Sequence, residues 1–179
     1  MLAADNTVLL VVDVQGKLAH LMHDKEILFN NIRKAIKGAQ VLDIPIILTE
    51  QYPAGLGPTI AEVAGLLADP NAIRKTSFSC CGEDRFMQAL SALHPENVVV
   101  AGIETHVCVY QTVRDLLKAQ FAVQIIADAV SSRTKGDKRI GLKKSIKAGA
   151  EITSVETVLF ELLRESGGAK FKKILEIVK

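Results

Sequence analysis

Three side chains of this sequence have the types that an activated cysteine nucleophile requires. Asp13, Lys75 and Cys108 are an acid, an amine and a thiol, and each lies at or just beyond the end of a strand-like run. A carboxylate can accept the thiol proton and later give it to a leaving group. A nearby ammonium and the positive end of a helix dipole both lower the pKa of a cysteine near a helix start. The three residues together predict an enzyme with a covalent mechanism.

Each of these residues alone also fits a structural role. A lone cysteine on a helix is usually a small core residue. An aspartate after a strand is often a cap or turn residue, and Lys75 alone would be a surface lysine. Their joint placement at strand ends is what indicates catalysis.

Strand-like and helix-like segments alternate along the chain. Strands are predicted at 7–13, 44–49, 72–75, 97–101, 122–127 and, weakly, 151–153. Amphipathic periodicity predicts helices at about 25–42, 59–67, 83–93, 105–119, 137–148, 155–164 and 169–178. Valine- and isoleucine-rich strands separated by helices favour a parallel sheet covered on both faces, which is a three-layer α/β fold. Ligands bind such sheets beyond the carboxyl ends of the strands.

Composition and charge narrow the classes of function. A chain of 179 residues with 49% hydrophobic content predicts one domain over 1–179. The net charge of +2 does not favour binding to nucleic acid or to membranes. No apolar run approaches the roughly 20 residues that span a bilayer, and no signal-peptide pattern opens the chain. Three cysteines are too few for a disulfide framework, so we expect a cytoplasmic protein.

Four segments resemble the isochorismatase-like hydrolase family, in the family's order and at its separations. They read VDVQ (12–15), RKTSF (74–78), AGIETHVCV (101–109) and DAVSS (128–132). The resemblance is greatest to the isochorismatase-domain-containing branch. It implies a Rossmann-like sheet of six parallel strands in the order 3-2-1-4-5-6, and an Asp–Lys–Cys triad at Asp13, Lys75 and Cys108. It also implies that the cysteine-bearing members are amidohydrolases that form a thioester-type acyl-enzyme.

Two departures from family patterns narrow the expected activity. Isochorismatase itself cleaves a vinyl ether without a nucleophilic cysteine at this position, so Cys108 argues against that reaction. Nicotinamidases carry an Asp-x-His metal site after the second strand, whereas residues 49–58 read TEQYPAGLGP and contain no histidine. We therefore expect no metal and no cofactor, and we expect this segment to form a lid or pocket wall.

The resemblance also implies how a tetrahedral intermediate is stabilised. A cis peptide precedes the family's cysteine, which by motif position is the Ile103–Glu104 bond. The N–H groups of Glu104 and Cys108 would then form the oxyanion hole. Gln15 is predicted as a polar pocket residue and Phe78 as an apolar wall. Thr105 is assigned to substrate binding with them.

The sequence thus predicts a cysteine-dependent hydrolase of a small amide, ureido or related carbonyl compound. Two alternatives remain open. One is a ribonuclease-type hydrolase, against which the charge and the 4% aromatic content count. The other is a non-catalytic partner-binding protein that retains the triad.

A homo-oligomer, at least a dimer, is also predicted. The family tendency suggests it, and an amphipathic C-terminal helix would expose an apolar stripe in a monomer. The stripe consists of Phe171, Ile174, Leu175 and Val178.

Overall fold

A computed structural model describes residues 2–68 and 70–179, and six strands of this part form one parallel sheet. The spatial order is β3-β2-β1-β4-β5-β6, and every neighbouring pair is parallel. The predicted α/β fold and strand order are confirmed. The strands are β1 (Thr7–Val12), β2 (Ile46–Gln51), β3 (Ile73–Lys75), β4 (Asn97–Ile103), β5 (Ala122–Ser131) and β6 (Glu151–Thr153).

Helices connect the strands and cover both faces of the sheet. In the described residues they are α1 (Gly16–His20), α2 (Lys25–Val41), α3 (Pro53–Leu56), α4 (Ala61–Ala64), α5 (Asp84–Ala92), α6 (Tyr110–Lys118), α7 (Lys135–Ala148), α8 (Val155–Leu163) and α9 (Gly168–Val178). A π-helical turn, Thr105–Val109, lies directly before α6. None of these helices is both long and apolar enough to cross a membrane.

The core divides into two apolar clusters, one on each face of the sheet. Helices α2, α8 and α9 pack over one cluster, while α5 and α6 pack over the other. Strands β1 and β4 lie between the two clusters and are buried along their whole length. Side chains of both strand faces are therefore apolar, as the continuous Val- and Leu-rich runs predict.

Several element boundaries differ from those predicted. Helices α1 and α3 were not predicted, because four or five residues are too few to show helical periodicity. The helix predicted at 59–67 is only the single turn Ala61–Ala64. Strand β5 continues to Ser131 because its pairing with β4 skips from Ile125 to Val130, which lets the strand resume after an irregularity.

The start of the helix that carries Cys108 is also different. Residues 105–109 are π-helical, and the N–H of Val109 donates to the carbonyl of Glu104, five residues earlier. Such wide turns occur frequently at functional sites.

The C-terminal helix does not present the free apolar stripe that was expected. Ile174 is fully buried in the core beneath α2 and α8, and Phe171, Leu175 and Val178 are half-buried. Lys34 of α2 donates to the carbonyl of Val178. Ile174 and Val178 pack within their own chain, so only the half-buried Phe171 and Leu175 remain of the stripe on which this argument for an oligomer was based.

The sheet brings four polar residues to one edge. Strand order reverses between β1 and β4, and crevices at such a switch point bind ligands in this class of fold. Asp13 follows β1, Gln51 ends β2, Lys75 ends β3 and Glu104 follows β4.

Gly102 permits the close approach of β4 to β1 at this edge. Its φ is +114°, and an added Cβ would overlap the carbonyl oxygen of Val12. We expect Gly102→Ala to lower the free energy of unfolding by more than about 1 kcal/mol, as measured by urea denaturation. Gly167→Ala is the matched control, since its φ is −162° and no described atom lies within 4 Å of an added Cβ. Equal effects of the two changes would contradict this account.

Candidate active site

Asp13 lies where β1 ends and the chain turns. Its φ of +50° is in the left-handed region, which aspartate adopts more readily than most residues. One carboxylate oxygen, Oδ2, accepts from Lys75 Nζ at 2.6 Å, and Oδ1 accepts from Thr49 Oγ1 at 2.7 Å. The carboxylate is therefore buried with a charged partner and a neutral partner.

Lys75 is a buried lysine and not the surface residue of the alternative interpretation. Its side chain has no exposed area. Besides Asp13, the ammonium lies within hydrogen-bond distance of Gln51 Oε1 at 3.1 Å and of the carbonyls of Ser77 at 3.2 Å and Phe78 at 3.1 Å. These four oxygen partners offset the cost of removing the ammonium from water.

Cys108 is near this ion pair and is only 7% exposed. Its Sγ lies 3.7 Å from Gln51 Oε1. Cys108 and Asp13 line the same small cavity. The structure thus brings together the three residues that the sequence singled out.

The pKa of the Cys108 thiol is raised, which is opposite to the direction predicted from the sequence. Burial is the largest cause, and the negative charge of Asp13 and a hydrogen bond to it act in the same direction. Lys75 lowers the pKa but does not outweigh them. The prediction of a lowered pKa is wrong, because it counted the ammonium and the helix start but not desolvation. The resting residue is a neutral thiol, and attack requires its proton to leave.

Gln51 is a site residue that the sequence analysis missed. Its Nε2 donates to the carbonyl of Thr76 at 2.7 Å, which directs Oε1 toward Lys75 and Cys108. A usable signal existed, since alternate residues of a strand face the same side. Thr49 and Gln51 are two apart at the end of β2, and both contact the Asp13–Lys75 pair.

Gln15 supports the site's framework. It is fully buried, and its amide bonds the backbone of Gln51 in both directions and the carbonyl of Gly57. It is not among the described residues that line the cavity at Cys108. Contact between Gln15 and substrate stays a prediction.

Of the other predicted site residues, Phe78 and Glu104 line the cavity at Cys108, whereas Thr105 does not. The Ile103–Glu104 peptide is cis as expected. The Glu104 carboxylate accepts from the backbone and side chain of Arg133 at 3.2 and 3.1 Å. Thr105 is fully buried, and its hydroxyl has no hydrogen-bond partner within residues 2–68 and 70–179. Substrate contact by Thr105 stays a prediction.

The cavity at Cys108 has a volume of about 100 Å³. Its lining is mostly apolar and consists of Asp13, Leu18, Gln51, Leu56, Phe78, Ile103, Glu104, Val107 and Cys108. A larger depression of about 550 Å³ adjoins Tyr52, Arg74 and Lys75, but Cys108 does not line it. Of these two spaces, only the smaller one is lined by Cys108 among the described residues.

The segment that holds a metal site in nicotinamidases has another role here. The Glu50 carboxylate accepts from both the N–H and the hydroxyl of Thr59, at 2.7 and 2.9 Å, and so anchors the loop that contains α3. Across the described part of the chain, no group of three or more His, Cys, Asp or Glu side chains is placed to hold a metal ion.

A model of the isochorismatase domain matches residues 7–157. The chain belongs to the isochorismatase family. Isochorismatase domain-containing protein 2 of Danio rerio is 34% identical over 177 residues, which are 99% of this chain and 89% of the relative.

Solved structures of other proteins share the fold. The MAR1 ribonuclease of Caenorhabditis elegans is 36% identical with a TM-score of 0.92, over 99% of this chain and 91% of that one. YcaC of Escherichia coli, described as an octameric hydrolase of unknown specificity, has a TM-score of 0.92 at 22% identity, over 98% and 89% of the two chains. The likeness to YcaC extends to the fold alone.

The Asp13–Lys75 pair should be strongly coupled energetically. Lys75→Met leaves a buried carboxylate without its cation, and we expect a loss of about 3–5 kcal/mol in the free energy of unfolding. Adding Asp13→Asn should recover much of that loss. Urea denaturation of the unsubstituted protein, the two single variants and the double variant measures this coupling. Lys170→Met removes an exposed ion pair with Asp43 and should have little effect. Additive losses in the double variant would contradict the coupling.

The raised thiol pKa gives a second test. Asp13→Asn removes the carboxylate while Lys75 stays, so the pKa of Cys108 should fall. Thiolate forms as the pH passes the pKa, so the pH–rate curve for alkylation of Cys108 by iodoacetamide should move down by about 1 pH unit or more.

Cys81 is the internal reference in the same peptide maps. Burial raises its pKa to about 12, and Asp13 is not among the causes of that shift. A Cys108 curve that is unchanged, or that moves to higher pH, would show that Asp13 is not the proton partner of the thiol.

Proposed function

We propose that the protein is a cysteine-dependent hydrolase that cleaves a small amide, ureido or related carbonyl compound through a covalent acyl-enzyme. The observation that carries the proposal is the buried Asp13–Lys75 ion pair beside the buried Cys108 thiol, which lines a small cavity. Family membership supports hydrolysis as the reaction class.

In the first half-reaction Sγ of Cys108 attacks the carbonyl carbon as its proton passes to the Asp13 carboxylate. The N–H groups of Glu104 and Cys108 stabilise the resulting oxyanion. Asp13 then gives the proton to the leaving nitrogen, the C–N bond breaks, and an amine or ammonia leaves a thioester on Cys108.

In the second half-reaction water replaces the amine. Asp13 accepts a proton from water as the oxygen attacks the thioester carbonyl. The C–S bond then breaks, a carboxylic acid is released, and the sulfur regains its proton. Lys75 remains protonated throughout, because its role is to hold the Asp13 carboxylate charged and oriented between these transfers.

Ribonuclease activity is the second candidate, because the C. elegans relative carries that name. Helix α7 is also rich in basic residues, among them Lys143, Lys144 and Lys147. The cavity counts against this activity. Its volume of about 100 Å³ is smaller than the about 150 Å³ of an apolar cavity that holds benzene, so a nucleotide does not fit beside Cys108, and none of its described lining residues is basic.

Release of ammonia from a panel of small primary amides tests the proposed function. We expect turnover that Cys108→Ala abolishes while the fold remains intact, because the variant removes the nucleophile and little volume. Asp13→Asn should be inactive as well, since an amide does not accept the thiol proton. Cys81→Ala, at a half-buried cysteine outside the cavity, is the matched control and should retain activity.

Turnover should also survive exhaustive dialysis against a chelator. Activity lost on chelation and restored by one metal would contradict the proposed mechanism, as would full activity of Cys108→Ala. Cleavage of RNA that depends on Cys108, without amide turnover, would favour the ribonuclease. A protein inert in both assays would favour a non-catalytic binding role.

A homo-oligomer stays part of the proposal, now on other surface features. Ile140 and Ile146 lie on α7 and are about half exposed, at 51% and 52%. Light scattering at micromolar concentration should give a mass above the 19.4 kDa of one chain. A mass of one chain would rule the oligomer out.

Location in the cytoplasm also stays a prediction.

A further inference from the structure

We infer that the site selects an uncharged substrate whose part beside Cys108 is apolar and has about four non-hydrogen atoms. The inference rests on the proposed function and deepens it, since it names the class of substrate. The inference is argued from the charge, the lining residues and the volume of the cavity.

The charged groups of the cavity are both acidic. Of the described lining residues, Asp13 and Glu104 carry charge and none is basic. The Lys75 ammonium is within reach of four oxygens of the protein and has no exposed area. Arg133 pairs with Glu104, but its side chain is 57% exposed and it does not line the cavity.

An anionic substituent would therefore lose water and meet two carboxylates without gaining a free cation. Lys75 and Arg133 offset part of this negative charge from 2.6 and 3.1 Å, but neither cation lines the cavity, so an anion inside it meets the carboxylates first. A carboxylate or phosphate next to the reacting carbonyl is strongly disfavoured, which separates this site from ones that take ureido acids or half-amides of dicarboxylic acids.

The remaining lining is apolar and sets the size. Five hydrophobic side chains face the cavity: Leu18, Leu56, Phe78, Ile103 and Val107. An apolar cavity of about 150 Å³ holds benzene, with its six carbons, so one of about 100 Å³ holds about four non-hydrogen atoms. A short or branched aliphatic group fits that space, whereas an aromatic ring is too large.

A pair of alkylating reagents tests the charge selection without any hydrolysis. Iodoacetamide and iodoacetate have nearly the same size and differ in charge. In each reaction the Cys108 sulfur displaces iodide to form a thioether, and the thiol proton passes to Asp13 or to buffer. The ratio of the two rates at Cys108, divided by the same ratio for glutathione, isolates the effect of the site.

We expect iodoacetate to be disfavoured at Cys108 by at least about tenfold relative to glutathione. Glu104→Gln should reduce this discrimination, while Glu156→Gln on exposed α8 surface should leave it unchanged. Equal normalised rates, or a preference for iodoacetate, would overturn the inference. If discrimination holds but no amide in the panel is hydrolysed, the proposed function fails instead.

A series of primary amides tests the size. The specificity constant kcat/KM should rise from acetamide to isovaleramide and fall at benzamide. Phe78→Ala should move the optimum to longer chains, whereas Leu93→Ala, at an apolar side chain of similar exposure away from the cavity, should not. Isovaleramide should also exceed malonamate, in which a carboxylate replaces the isopropyl group with the same number of non-hydrogen atoms. An optimum at benzamide, or malonamate as the better substrate, would overturn the inference and leave the proposed function standing.

Discussion

The buried ion pair between Asp13 and Lys75 is the constraint on which the rest of the site depends. Two charges at 2.6 Å with almost no exposure are stable only if each is satisfied by further partners. Those four partners come from two segments: Thr49 and Gln51 at the end of β2, and the carbonyls of Ser77 and Phe78 after β3. Strand order places these ends side by side, so the parallel sheet is what makes the pair possible.

The same pair influences the protonation of the Cys108 thiol. Burial and the Asp13 charge hold the Cys108 proton in place, although Lys75 opposes them. In the proposed mechanism the thiol gives up this proton only as a carbonyl carbon accepts the sulfur's electrons, and Asp13 is the nearest base. A thiol that stays neutral at rest is also less open to oxidation, because thiolates are the reactive form. In the proposed mechanism, the burial of Cys108 beside Asp13 thus both protects the thiol from oxidation and prepares it for attack on a carbonyl carbon.

Sequence patterns predict what depends on local order. Val-rich runs predict the strands, and the residues after them predict the Asp13, Lys75 and Cys108 cluster. The same patterns do not predict quantities set by the assembled surroundings. Alternation along β2 places Thr49 and Gln51 on one side of the strand, but the contact of Gln51 with Lys75 forms only when β2 and β3 pair. The pKa of Cys108 depends on its burial in the folded chain. The apolar stripe of α9 shows the same limit, because periodicity does not distinguish packing on α2 from packing on a second chain.

Partitioning of the acyl group tests the central claim, a shared acyl-enzyme on Cys108, most directly. An amide, an N-methylamide and a methyl ester with the same acyl group are hydrolysed in the presence of hydroxylamine, and the ratio of hydroxamate to acid is measured. A common thioester predicts one ratio for all three compounds, because the leaving group has departed before the second nucleophile attacks. Ratios that differ with the leaving group would contradict the covalent intermediate.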